Sequence, residues 1–158
     1  MFRKLKQNDE TEHVVSAENI LHEQVIKTYI KDNPGWILFA REYDVIPLMS
    51  GFGRGDLVFF NRELNKFHIV ECKNHSHNKT INQSEYYASW IKVKYPNSHV
   101  TYQAVVNVRN NITWSIINDI DLKTAIVNTL TKINELKGLN HNELNSLGQL
   151  YTNLYTVR

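Results

Sequence analysis

Asp56, Glu71 and Lys73 are the residues of this chain whose types and spacing could do chemistry together. Side chains along a strand alternate between its two faces. In the apolar run Ile69-Val70-Glu71-Cys72-Lys73, Glu71 and Lys73 therefore point one way, and Val70 and Cys72 point the other way, into a core. Asp56 opens a second apolar run, Asp56-Leu57-Val58-Phe59-Phe60, at hairpin distance before the first. Pairing the two runs would stand Asp56 beside Glu71. Carboxylates on adjacent strands are hard oxygen ligands suited to Mg²⁺. The carbonyl oxygen of Cys72, between Glu71 and Lys73 in sequence, could complete the protein's share. A bound divalent ion makes water a better nucleophile. Lys73 could then orient that water, take its proton, or offset charge growing on a phosphate. The competing reading is a solvated ion pair on a sheet surface, which is common and contributes little.

Holding these residues in place requires a sheet, and the surrounding pattern supplies one. Residues 14–32 carry apolar positions Val14, Ala17, Leu21, Val25 and Tyr29 at helical spacing, with Ser16 as N-cap and Asn33-Pro34-Gly35 as the stop. Residues 36–39 and 43–47 read as extended, 56–60 and 67–72 as a hairpin, and 80–94 as a helix. Residues 99–108 alternate, with Val100, Tyr102, Ala104, Val106 and Val108 on one side, and Asn110-Asn111 turns the chain back into 112–116. Two helices follow, over 121–137 and 141–155. The order predicts an α/β fold, a mixed central β-sheet flanked by helices, with a helical C-terminal extension over 121–158. The chain of 158 residues fits a single domain, its polar residues 1–12 frayed.

Gly55-Asp56-Leu57-Val58-Phe59 followed by Ile69-Val70-Glu71-Cys72-Lys73 resembles the PD-(D/E)XK nuclease superfamily. The resemblance covers less than half the chain, and Gly55 stands where that family has proline. It implies a restriction-endonuclease-like core, Mg²⁺ or Mn²⁺ as cofactor, and hydrolysis of phosphodiester bonds in DNA. Glu23-Gln24-Val25-Ile26, Ile30, Gly35-Trp36 and Ser50-Gly51 are similar to the pattern of archaeal Holliday-junction resolvases. Gln83-Ser84-Glu85-Tyr86-Tyr87 is similar to the Gln-x-x-x-Tyr of RecB-like nucleases, with Gln83 and Tyr87 on one helical face. The resemblance implies Asp56, Glu71, Lys73, Glu23 and Gln83 as catalytic residues, with Asp56, Glu71, Cys72 and Glu23 around the metal. Ser50, Arg54, Lys79 and Tyr87 are the candidates for nucleic-acid contact, and Lys92 and Lys94 could extend a phosphate track. Glu23 is preferred to Glu18, because Glu18 in the first turn has a sufficient role beside the helix dipole.

Other groups point to less. Cys72-x-x-His75-x-His77 lacks a second cluster to complete a zinc site. No His-Asp arrangement accompanies Cys72 as a nucleophile. The glycine-rich stretch Ser50-Gly51-Phe52-Gly53-Arg54-Gly55 lacks the Lys-Ser/Thr of a P-loop and precedes a strand. A single cysteine excludes an internal disulfide framework and suits a reducing compartment. No apolar run reaches the roughly 20 residues of a membrane span, and the N-terminus has no apolar signal core. The expected location is intracellular, cytoplasmic or nuclear. A net charge of +2 leaves DNA binding to a local basic patch. Leu144, Leu147, Leu150 and Leu154 on one face could pack on the core or form a homodimer, whose paired sites would suit symmetric cleavage. The alternatives are a non-catalytic nucleic-acid-binding module on a nuclease fold, or an RNA nuclease.

Overall fold

Leu21, Val25 and Tyr29 recur at helical spacing and form the buried stripe of the first helix, α1 (residues 18–32). The computed structural model describes residues 18–45, 54–74, 77–135 and 138–152. The expectations for residues 1–12, Ser16, Ser50, His75 and Leu154, and for the side chains of Arg54 and His77, lie outside what is described. After Asn33-Pro34, Gly35 takes φ +90°, a left-handed geometry that favours glycine, and the chain enters the sheet.

The strands are β1 (Trp36–Asp44), β2 (Arg54–Asn61), β3 (Lys66–Lys73), β4 (His99–Val108), β5 (Asn111–Trp114) and the short β6 (Asn118–Asp119). A crossover helix, α2 (His77–Lys94), joins β3 to β4, and α3 (Leu122–Glu135) and α4 (His141–Thr152) close the chain. The sheet is mixed and six-stranded, in the order β1-β2-β3-β4-β5, with β6 also on β4. Only β3 and β4 run parallel among these pairs. Parallel neighbours need a long connection, and α2 is that connection.

The expected α/β order is observed, with differences of detail. Residues 36–44 form one strand with a bulge between Leu38 and Ala40, where separate runs were expected. Helix α2 starts three residues earlier than expected, at His77. Strand β4 is buried on both faces from Val100 to Val106, because helices cover both sides of the sheet and β3 and β5 flank it. The turn into β5 is centred on Arg109-Asn110, both at positive φ, one residue before the expected Asn110-Asn111. Two successive left-handed residues match the twist of a tight hairpin.

Two cores result. On one face Leu21, Val25 and Tyr29 of α1 meet Leu57, Phe59, Val70, Cys72 and Val105. On the other, Ala88, Trp90, Ile91 and Val93 of α2 meet Val58, Phe67, Ile69, Val100 and Tyr102. Ala125 of α3 and Leu147 and Leu150 of α4 join this second core, so half of the leucine stripe considered for a dimer is buried within the chain. Helix α4 begins with a capping box: the amide of Glu143 donates to Asn140 Oδ1 (2.9 Å), and the amide of Asn140 donates to Glu143 Oε1 (3.0 Å). Asp121 caps α3 by accepting from the Thr124 amide at 2.7 Å, which lowers its own pKa.

Candidate active site

The candidate site lies where strands β2 and β3 part. Their ladder runs from Asn61↔Lys66 to Leu57↔Val70. Beyond it, β2 remains paired with β1 as far as Asp44↔Arg54, and β3 with β4 as far as Lys73↔Val106. Just past the ladder, the amide of Cys72, two residues after Val70, donates to the Oδ2 of Asp56, one residue before Leu57, at 2.9 Å. The carboxylate thus takes over from the missing backbone partner and is held in place by it.

Glu71, the first β3 residue past the ladder, is 2% exposed, and its carboxyl lies close enough to Asp56 for the Asp56 carboxylate to act on it. Its Oε2 is buried without a hydrogen-bond partner. Burial, then the hydrogen bond and negative charge of Asp56, push the Glu71 carboxyl well above its usual range, while Lys73 opposes the shift. Neighbouring carboxyl groups cannot both ionise in a poorly solvated place without a compensating charge. A buried carboxyl oxygen with no partner, next to a second carboxylate, fits a hard divalent cation: the cation would displace the proton that burial favours on Glu71 and use the orphaned oxygen. Asp56 is 17% exposed and gives such an ion its route from solvent.

Lys73 ends β3, half-buried, and shares the face of Glu71 by strand alternation. Helix α2 packs over the same face. A Cβ placed on Gly55 would lie 3.4 Å from Tyr87 Cβ and 3.9 Å from Ile69 Cγ2, so the small residue before Asp56 admits the helix. Gln83 stands one turn N-terminal to Tyr87, and its Oε1 is buried without a hydrogen-bond partner. Asp56, Glu71 and Lys73 thus lie close together, with Tyr87 of α2 against the neighbouring Gly55 and Gln83 one helical turn from Tyr87. Lys79 is exposed in the first turns of α2.

Glu23 is not brought to this place. Its exposed carboxylate accepts a 2.7 Å hydrogen bond from Arg41, which also donates to Asn19. The residue that α1 directs at the site is its neighbour, His22, which is 2% exposed and has Nε2 3.9 Å from Asp56 Oδ2. Glu18, one turn before His22, is near enough to Cys72 for its charge to raise the thiol's pKa, whose main cause is burial. A His-Asp pair thus does stand beside Cys72, contrary to expectation, because α1 brings a residue distant in sequence; the buried thiol, its pKa raised, still does not suit a nucleophile. Sequence reasoning passed over His22. The signal available was its position three and seven residues before Val25 and Tyr29, on the buried stripe.

Of the lysines considered for a phosphate track, Lys92 and Lys94 are otherwise engaged. Lys94 Nζ donates to Tyr43 Oη (2.8 Å) and the Val45 carbonyl (3.1 Å), and Lys92 Nζ donates to the Ser98 carbonyl at 2.6 Å. Among the described residues, no helix is long and apolar enough to cross a membrane. Comparison of the chain with protein-family models, with curated proteins and with solved structures gives no match.

Proposed function

We propose that this protein is a divalent-metal-dependent nuclease of the PD-(D/E)XK kind, on a restriction-endonuclease-like core, hydrolysing phosphodiester bonds in DNA with Mg²⁺ or Mn²⁺. The observation that carries the reading is that Glu71 Oε2 is buried and unpartnered at the parting of β2 and β3, near the Asp56 carboxylate that the Cys72 amide holds. Asp56 and Glu71 would hold the ion. When bound, the ion supplies Lewis acidity toward water and toward a phosphate oxygen.

The remaining work falls to this chain's own groups. Asp56 is oriented by the Cys72 amide. Lys73, on the Glu71 face, orients the attacking water, receives its proton, or offsets charge on the phosphate. Gln83 offers its unpartnered Oε1 to a water proton and its amide to a phosphate oxygen. Tyr87 and Lys79 of α2 continue the same side toward the nucleic acid. The intact acid-acid-lysine set favours catalysis over a purely binding role.

The test is cleavage of labelled linear duplex, single-stranded, flapped and four-way DNA, and of RNA, with Mg²⁺, Mn²⁺ or EDTA. Cleavage of DNA that vanishes in EDTA is expected, and Lys73→Ala should slow it by roughly 10²–10⁴-fold, the range of general acid–base groups. Undiminished cleavage in EDTA, or no cleavage of any DNA with either metal, would overturn the reading.

A further inference from the structure

We propose that His22, Asp56 and Cys72 form a binding site for a thiophilic divalent transition-metal ion, Zn²⁺ or Co²⁺, on the α1 side of the sheet. The site is separate in chemistry from the all-oxygen position between Asp56 and Glu71. One ligand atom from each of the three residues lies within 4.8 Å of the others. His22 is the unexplained member. It is 2% exposed, yet neither ring nitrogen has a hydrogen-bond partner. A buried imidazole left unpaired costs free energy and calls for a partner.

Geometry favours a metal ion as that partner. Around a tetrahedral ion with bonds of about 2.0–2.3 Å, ligand atoms sit roughly 3.3–3.8 Å apart. His22 Nε2 and Asp56 Oδ2 are already 3.9 Å apart, so that edge needs almost no movement. The Cys72 thiol shares the α1-side core with Leu21 and Val25, the neighbours of His22 on the helix. The remaining distances, within 4.8 Å, exceed that tetrahedral edge by about 1 Å. Imidazole and thiolate select Zn²⁺ and its neighbours over Mg²⁺. The partly exposed Asp56 leaves the fourth position open to water. Binding expels the thiol proton to solvent and forms a metal–sulfur bond.

The experiment is titration of the full chain with Co²⁺, followed by the near-ultraviolet thiolate-to-cobalt charge-transfer band and displacement by Zn²⁺. One equivalent should produce the band. Cys72→Ser, close in size, should abolish it. His22→Ala should weaken Co²⁺ binding by more than roughly a hundredfold, the upper end of what losing a mere outer partner costs. No band in the wild-type protein overturns the proposal, and so does a band whose affinity is unchanged in His22→Ala, since the thiolate would then bind elsewhere. The readout is optical and independent of hydrolysis, so a failed cleavage assay leaves it standing, and its failure leaves the nuclease reading untouched.

Discussion

Glu71 illustrates how a functional group sits against stability. Its carboxyl is buried beside Asp56 and is held toward the neutral form. A carboxamide in its place is neutral and removes the repulsion between the two carboxyls. Glu71→Gln is therefore expected to be at least as stable as wild type without metal, while losing cleavage. Thermal melts with and without Mg²⁺ check this. Wild type should rise with Mg²⁺, by about 2.7 kcal/mol at a hundredfold excess over the dissociation constant, and the variant should not. A variant that is much less stable yet still responds to Mg²⁺ would remove Glu71 from metal binding. Glu23 is the contrast. Its exposed pair with Arg41 is of the kind that contributes about 0–1 kcal/mol. Glu23→Gln should leave turnover and melting temperature near wild type, and a large loss of turnover would show that α1 turns in the complex with substrate.

Helix α2 depends on a close approach. Gly55 has Tyr87 Cβ at the contact distance of an added Cβ. Alanine there fits with a slight adjustment. Gly55→Val adds two methyl groups where the Tyr87 ring already lies, so α2 must lift from β2. The expected cost is about 1–3 kcal/mol, as for other overpacked positions, with a fall in turnover because Gln83 rides on the same helix. Urea denaturation and single-turnover cleavage of the alanine and valine variants measure both effects. Equal stability and turnover in the two would mean that α2 does not seat against Gly55.

Acid stability belongs to the whole molecule, because one buried histidine joins its layers. His68 on β3 stacks on Tyr29 of α1 and contacts Thr101 Oγ1 and Gln103 Oε1 of β4, both at 2.7 Å. Gln103 Nε2 donates to the Ser115 carbonyl, which leaves its Oε1 to accept from His68 Nε2–H. Burial, opposed by the Gln103 bond, lowers the His68 pKa from 6.5 to about 4. As pH falls from about 6.5 to about 4, the unfolded chain takes up a proton that the folded chain refuses. Stability should therefore fall across that window by up to about 3 kcal/mol and then level off. Glu71, shifted upward, acts in the opposite sense above its usual range near 4.5, losing stability as pH rises. The denaturation series is therefore made in Glu71→Gln. A slope unchanged by adding His68→Gln would show that another group carries the acid sensitivity.

The strands, their hairpin and the shared face of Glu71 and Lys73 were legible in the chain, because side-chain alternation and turn chemistry act between near neighbours. That Asp56 comes near Glu71 followed from the length of the hairpin, although the ladder itself ends at Leu57↔Val70. The rotation of α1 against the sheet was not legible. Each residue along a helix turns about 100°, so the choice between His22 and Glu23 as the group facing Asp56 hangs on how Leu21, Val25 and Tyr29 seat against Leu57, Phe59 and Val70. The parallel pairing of β3 with β4 and the burial of β4 on both faces likewise depend on α2 crossing over and on α1 covering the far side. These arrangements are fixed by contacts between residues distant in sequence, which no local spacing records.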